Sequence, residues 1–191
     1  MDLFDKSKVT KIYGVEPNRD HHNLLRQRII KAGLSDVYQI VPVSVEDLNG
    51  KGLYGGEQKL GGWIQKGEVD SVVTVQTLCS VQQPKKLIKG LYSYLKPGGM
   101  WIVFEHVAMK RGGLLKYYQG KVLLAPHSKL MLTGAALIDI VWPHFMGGCS
   151  LTRDTEKSLR DGGHWSSVEL EQPSDEPSYK ILPNVRGWLI K

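Results

Sequence analysis

The sequence predicts an α/β fold whose β-sheet is mostly parallel, with an antiparallel edge at the C-terminal end. Short apolar runs alternate with segments in which apolar residues recur at helical spacing, as in consecutive βαβ units. Proline and glycine signals mark several of the boundaries between these segments. Strands that alternate with helices pair in parallel, so most of the sheet is expected to be parallel.

Six strands and three helices account for these patterns. Gly33 follows the first helix in the usual C-terminal position, and Asp154 lies at the N-cap of the third. Pro84 begins the second helix, and Pro97-Gly98-Gly99 follows it. The predicted strands are 11–15, 38–43, 69–75, 100–105, 168–170 and 184–190, and the predicted helices are 23–32, 84–95 and 155–162; the last two strands are expected to be antiparallel.

Length and composition indicate one soluble domain spanning residues 1–191. The hydrophobic fraction of 41% and charged fraction of 23% are ordinary for such a domain. Residues 49–67 and 120–139 do not follow the alternation and are interpreted as insertions or irregular excursions. No apolar run is long enough to cross a bilayer, so no integral membrane segment is expected.

Charge and cysteine content bear on the expected binding partners and on the expected cellular location. The net charge of +6 comes from scattered basic residues, so nucleic acid is not an expected partner. Two cysteines do not make a disulfide framework, and the charged N-terminus lacks the apolar core of a signal peptide. A reducing, cytoplasmic location is therefore expected.

Candidate ligand-binding residues follow the strands, because ligands of such sheets lie beyond the carboxyl ends. Glu16, after the first strand, carries a carboxylate that can accept hydrogen bonds from both hydroxyls of a ribose. The alternative is a solvated loop residue. Glu46 and Asp47, after the second strand, are suited to an adenine amino group, or equally to a turn or an N-cap.

Further candidate residues follow the third strand and end the fourth. Thr77 and Leu78 are candidates for the floor of a cofactor pocket, and Cys79 is interpreted as a small packing residue. Glu105 and His106 are suited to substrate binding or acid–base catalysis. The alternative is a structural pair hydrogen-bonded to a loop. The other histidines lack metal-ligand spacing, so no metal is assigned.

Taken together, the strand-end motifs resemble those of class I S-adenosylmethionine-dependent methyltransferases. The resemblance is to the thiol methyltransferase-like group and covers the chain from Lys11 onward, apart from the two misfit segments. It is carried by the succession GVEPN (14–18), VEDL (45–48), EVDSVVTVQTLCSV (68–81), LKPGG (95–99), MWIVFEHV (100–107) and GCSLTR (148–153).

The resemblance implies a Rossmann-like sheet, S-adenosylmethionine as cofactor, and methyl transfer to a small-molecule thiol or hydroxyl. Each candidate residue then acquires an implied role. Glu16 binds the ribose with Asn18 beside it, Glu46 and Asp47 lie at the adenine, Thr77 and Leu78 line the methionine part, and Glu105 and His106 face the acceptor. Oligomeric state is not implied.

In the family pattern, the first strand of the sheet is followed by a Gly-x-Gly loop, and this chain is expected to lack both, as an N-terminally truncated domain. No Gly-x-Gly precedes GVEPN in this sequence, and only glycine lets the backbone approach the cofactor so closely. We therefore expect the chain to bind S-adenosylmethionine weakly or not at all. The alternative function is a non-catalytic, truncated or pseudo-enzyme binding module without affinity for the cofactor. A late start codon and a retained intron in the gene model are one hypothesis for the departures.

A nicotinamide-dependent oxidoreductase is a further alternative. An acid such as Glu16, in the position that follows the second strand of a complete Rossmann sheet, also suits the ribose of NAD. The Pro-Gly-Gly turn at residues 97–99 argues against it.

Overall fold

The structure is a computed structural model that describes residues 7–46, 63–108, 144–145, 147–150, 152–177, 180 and 182–191. The chain divides into two compact units, Met1–Gln65 and Lys66–Lys191. The expectation of a single domain stays a prediction. The helices of the described residues include none that is long and apolar enough to span a membrane.

The first unit contains a parallel pair of strands joined by a helix. Strand β1 (Ile12–Val15) leads through a short 3-10 turn into helix α1 (His22–Lys31), and strand β2 (Tyr38–Val41) follows. The strands pair in parallel from Ile12 opposite Tyr38 to Val15 opposite Val41. Gly33 adopts φ +64° just beyond the helix, which confirms the expected glycine stop.

Strand β2 ends at Val41, two residues earlier than the sequence pattern indicated. The physical reason is Pro42, which has no N–H to donate to a neighbouring strand. The next amide, that of Val43, turns back and donates to the carbonyl of Val41 at 2.9 Å. Glu46 therefore lies in a turn some distance beyond the strand instead of at its tip.

The second unit contains a four-stranded mixed sheet in the order β3-β4-β6-β5. Strands β3 and β4 are parallel, whereas β6 runs antiparallel to both β4 and β5. The expected α/β class with an antiparallel C-terminal edge is thereby confirmed. The elements are β3 (Val69–Val75), α2 (Pro84–Tyr94), β4 (Leu95–His106), α3 (Thr155–Arg160), β5 (Ser167–Glu171) and β6 (Asn184–Ile190).

The alternation of side chains along β4 separates a buried face of this sheet from an exposed one. Trp101, Val103 and Glu105 are buried, whereas Ile102 between them is 43% exposed. The Trp101 indole N–H donates to Thr74 Oγ1 on β3 at 3.0 Å, so the largest buried side chain has its polar atom satisfied. Each buried side chain of this size contributes about 1.5–3 kcal/mol of hydrophobic stabilisation.

Strand β4 begins at Leu95, earlier than the expected Met100, and contains the Pro97-Gly98-Gly99 turn. Gly98 adopts φ +76°, which a side chain would disfavour, and its N–H donates to the carbonyl of Lys191 at 2.9 Å. The turn therefore stays hydrogen-bonded to the C-terminal end of the sheet. Of the expected excursions, residues 63–67 form turns; residues 49–62 and 120–139 lie outside the described residues.

Candidate functional site

The carboxyl ends of the parallel strands β3 and β4 meet at one edge of the second unit. Val75 lies opposite Phe104, and the Gln76 N–H extends the pairing by donating to the carbonyl of Phe104 at 2.8 Å. Gln76 then adopts φ +50°, a left-handed conformation that non-glycine residues adopt only infrequently. The chain turns sharply there into residues 76–81, which we call the strand-end loop.

Glu105 on β4 holds the strand-end loop by its backbone. One carboxylate oxygen accepts the Thr77 N–H at 3.1 Å, and the other accepts the Leu78 N–H at 3.0 Å. The Glu105 side chain is fully buried, and burial raises its pKa to about 7 against the opposing effect of these donors. The structural alternative considered for this residue, hydrogen bonding to a loop, is therefore present in the molecule.

Arg153 binds the same loop through its carbonyl oxygens. Its Nη1 atom lies 2.9 Å from the carbonyl oxygen of Leu78 and 2.7 Å from those of Cys79 and Val81. A guanidinium carries only donors and keeps its charge at any physiological pH, so it is suited to a group of carbonyl oxygens. The loop is thus fixed through its N–H groups by Glu105 and through its carbonyl groups by Arg153.

His106, the last residue of β4, lies beside two buried thiols. Its Nδ1 is 3.6 Å from Cys79 Sγ and 3.6 Å from Cys149 Sγ. Burial, with the positive charge of Lys180, lowers the pKa of His106, and the carboxylate of Glu176 opposes this. The imidazole is therefore neutral near pH 7, the form that carries a nitrogen lone pair.

Three potential metal ligands thus come together although the sequence led to no metal assignment. The Cys79, His106 and Cys149 ligand atoms all lie within 4.8 Å of one another. Sequence spacing did not reveal the group, because its members are 27 and 43 residues apart. The available signal was the GCSLTR motif, which supplies both Cys149 and the loop-holding Arg153.

In the first unit, Glu16 lies directly after β1 with its side chain 29% exposed. Its carboxylate accepts the Asn18 N–H at 2.8 Å and lies 3.4 Å from His21 Nδ1. The Glu16 N–H donates to the carbonyl of Val41 at 3.0 Å, so the residue sits at the carboxyl end of the β1–β2 pair. The carboxylate is both held by its own turn and partly open to solvent.

The other candidate cofactor-binding residues differ in their hydrogen bonds and burial. Asn18 accepts the Asp20 N–H at 3.0 Å and so caps the 3-10 turn. The Glu46 N–H donates to Ser44 Oγ at 3.2 Å, and Asp47 lies outside the described residues. Thr77 is half-buried, whereas the Leu78 side chain is fully buried in the core. The ligand roles of these residues stay predictions.

Comparison with known proteins relates this chain to methyltransferases in sequence. It is 34% identical over 124 residues to thiol S-methyltransferase TMT1B of Rattus norvegicus, which covers 64% of the chain and 44% of that protein. It is 30% identical over 126 residues to the TMT1B of Homo sapiens, covering 65% and 45%. The chain thus spans somewhat less than half the length of these relatives. No family model matches it.

Solved structures show the same fold at low sequence identity. An S-adenosylmethionine-dependent methyltransferase from Mesorhizobium loti superposes with a TM-score of 0.57 at 11% identity, over 95% of this chain and 81% of that one. The methyltransferase CalH in complex with SAH gives a TM-score of 0.54 at 12% identity, over 94% and 42%.

The two kinds of similarity agree with the strand-end motifs of the sequence. The expected Rossmann-like architecture is confirmed by the structural neighbours, and the expected relationship to the thiol methyltransferase-like group by the curated relatives. The solved neighbours include proteins named S-adenosylmethionine-dependent methyltransferases, and one methyltransferase among them is in complex with SAH. By sequence, the chain is similar to thiol S-methyltransferases, and its fold is that of S-adenosylmethionine-dependent methyltransferases of known structure.

Proposed function

We propose that this chain transfers a methyl group from S-adenosylmethionine to a small-molecule thiol. The observation that carries the proposal is the direct bonding of the predicted cofactor residues Thr77 and Leu78 to the predicted acceptor residue Glu105. These residues share the carboxyl edge of parallel strands, where ligands of open α/β sheets bind. The thiol is favoured over the hydroxyl because the curated relatives are named thiol S-methyltransferases.

At the cofactor end, Glu16 is proposed to accept hydrogen bonds from the ribose hydroxyls. Its position after a parallel strand and its partly exposed carboxylate support this role. The bond from the Asn18 N–H restrains the carboxylate, so less side-chain freedom is lost when a ribose binds. Asn18 is accordingly proposed to support Glu16 by shaping the turn.

At the acceptor end, His106 is proposed to face the thiol, and Glu105 is proposed to be a positioning residue. Both Glu105 oxygens accept backbone N–H groups and the side chain is fully buried, so it is poorly placed to take a proton from a substrate. His106 is half-buried and neutral near pH 7. It therefore retains a polar surface on the edge where the acceptor is proposed to bind.

The proposed reaction makes modest chemical demands. The acceptor sulfur, as a thiolate, forms a bond to the methyl carbon while the bond from that carbon to the sulfonium breaks. The electron pair of the broken bond stays on the sulfur of S-adenosylhomocysteine. Holding the two sulfur atoms in line with the methyl group supplies most of the acceleration, so a rigid strand-end loop is more useful than strong acid–base groups.

The test is methyl transfer by the purified 191-residue chain from S-adenosylmethionine carrying a deuterated methyl group. Phenylmethanethiol and phenylmethanol are offered separately over cofactor concentrations extending into the millimolar range, and products are measured by mass spectrometry. The expected product is the deuterated methyl thioether, with no corresponding ether. Cofactor binding, measured by calorimetry, without any methylated thiol contradicts the proposal, and so does equal methylation of the alcohol.

A further inference from the structure

The cluster of Cys79, His106 and Cys149 has a geometry suited to a metal ion. Zinc–sulfur bonds of about 2.3 Å and zinc–nitrogen bonds of about 2.0–2.1 Å place tetrahedral sulfur and nitrogen ligands roughly 3.5 Å apart. Both thiol sulfurs lie 3.6 Å from His106 Nδ1. The two measured separations therefore agree with two edges of a zinc-centred tetrahedron.

The ligands are held in place by bonds that do not involve their own side chains. The Ser150 N–H donates to the carbonyl of Cys79 at 3.0 Å, which ties the two cysteine-bearing segments together. Arg153 donates to the same carbonyl at 2.7 Å, and His106 is fixed in the sheet by pairing with Asn184 on β6. A metal ion would thus meet ligands whose backbones are already held close together.

The chemistry of the ligands selects the kind of metal. Thiolate and imidazole favour zinc and other soft or borderline ions over magnesium and calcium, which require oxygen ligands. The thiols are only 1% and 4% exposed, which suits a metal held within the protein. Three protein ligands are the usual number in zinc sites that keep a fourth position open for water or substrate.

We propose that Cys79, His106 and Cys149 bind one zinc ion, whose fourth position accepts the sulfur of the acceptor thiol. The second part rests on the proposed thiol methyl transfer. A thiol that coordinates zinc gives its proton to solvent and binds as the thiolate. The sulfur then attacks the methyl carbon, the bond to the sulfonium breaks, and the thioether product, a weaker ligand, leaves the metal.

The metal site is tested first without cofactor. The chain is purified with a phosphine reductant in place of a thiol, and zinc is measured by elemental analysis and by competition with a chromophoric chelator. We expect one zinc ion per chain. Cys79→Ser, Cys149→Ser and His106→Ala are expected to lose it, whereas His164→Ala, which alters an exposed histidine outside the cluster, is expected to retain it.

Cobalt substitution of the unmodified chain gives a second readout that does not depend on how the variants fold. Thiolate-to-cobalt charge-transfer absorption with intense tetrahedral bands is expected, and 2-mercaptoethanol is expected to strengthen that absorption by filling the fourth position. Absence of metal binding, zinc retained in both cysteine variants, or a Cys79–Cys149 disulfide in the reduced preparation would overturn the site. An unchanged cobalt spectrum on thiol addition overturns the open position, whereas the methyl-transfer assay decides the proposed function separately.

Discussion

The carboxylate of Glu105 accepts the backbone N–H of Leu78 at 3.0 Å, across 27 residues of sequence. Its other oxygen accepts the Thr77 N–H, so one buried side chain satisfies two consecutive amides at the end of β3. Because β3 and β4 are parallel, these residues lie at the same edge of the sheet. The two hydrogen bonds to Glu105 then hold the strand-end loop in one conformation. The placement of His106 and Cys79 depends on this relationship.

Replacing Glu105 by leucine is expected to destabilise the chain. Leucine fills a similar volume but leaves the Thr77 and Leu78 N–H groups without this acceptor. Each buried N–H group that loses its acceptor costs about 1–3 kcal/mol of stability. Chemical denaturation should show a loss of about 2 kcal/mol or more in the free energy of unfolding. Hydrogen exchange should be faster at these two amides.

The matched control for this change is Glu171→Leu, at an exposed ion pair with Arg186 on the antiparallel edge. Exposed pairs contribute about 0–1 kcal/mol, so this variant should stay close to the unmodified chain. Equal destabilisation by the two leucine substitutions would show that the bonds from Thr77 and Leu78 do not stabilise the fold.

The contrast between Glu105 and His106 shows how far the sequence predicts this site. The apolar run of β4 and the polar residues after it indicate a strand ending near an active edge. Alternation along β4 places Glu105 on the buried face with Trp101 and Val103, whereas residue type alone left open both an acid–base role and a structural one. The alternation of side chains along β4 therefore predicts the burial of Glu105, which its residue type alone does not.

The bounds of some strands could be predicted from the sequence, whereas features that depend on contacts between residues distant in sequence could not. The bounds of β3 and β6 follow from local apolar patterns and agree with the structure at both ends. The approach of Cys149 to His106 depends on the bonds from Ser150 and Arg153 to the carbonyl of Cys79, which no local pattern encodes. The early start of β4 depends on the bonds between its turn and Lys191.

Gly14→Ala is expected to destabilise the β1–β2 pair. A Cβ atom at Gly14 would overlap the hydroxyl and the ring of Tyr38, which lies over it on the neighbouring strand. Overpacking of this kind typically costs about 1–3 kcal/mol of unfolding free energy. Hydrogen exchange of the β1 and β2 amides measures the effect locally.

A double-mutant cycle isolates the cause of that loss. Tyr38→Leu alone removes ring contacts, but in the Gly14→Ala background it also removes the overlap. The two changes together should therefore be less destabilising than the sum of the single changes. Simple additivity would mean that Gly14 is needed for its backbone conformation instead of for the ring of Tyr38.

Glu176 is expected to make stability fall in acid. Burial alone would raise the pKa of this carboxyl, but hydrogen bonds from Lys180 and Asn184 hold the pKa below its ordinary value. A carboxyl with a lowered folded-state pKa stabilises the fold above its unfolded-state pKa, and this contribution is lost as the pH falls through the folded-state value. The groups facing it are Lys180, Asn184 and, through charge, His106.

The measurement is the free energy of unfolding of the unmodified chain and of Glu176→Gln between neutral pH and pH about 3, the region below the ordinary carboxyl pKa. The difference between the two proteins should shrink as the pH falls, because glutamine cannot be protonated there. A difference that stays constant with pH would mean that the ion pair with Lys180 does not stabilise the fold. Asp175→Asn serves as the control, because it removes a neighbouring carboxylate to which the described part of the chain shows no such bonds.

Glu16→Gln is expected to weaken the binding of S-adenosylmethionine roughly tenfold or more, since hydrogen bonds to a charged acceptor contribute about 1.5–3 kcal/mol. Glutamine retains one oxygen to accept the Asn18 N–H, so the turn after β1 should survive. It cannot, however, accept from both ribose hydroxyls as a carboxylate does. Asp20→Asn is the matched control, because it removes an equal charge from the same turn while leaving Glu16 in place. Calorimetric titration of both variants separates a specific contact from a general charge effect: equal losses of affinity would contradict a ribose contact at Glu16.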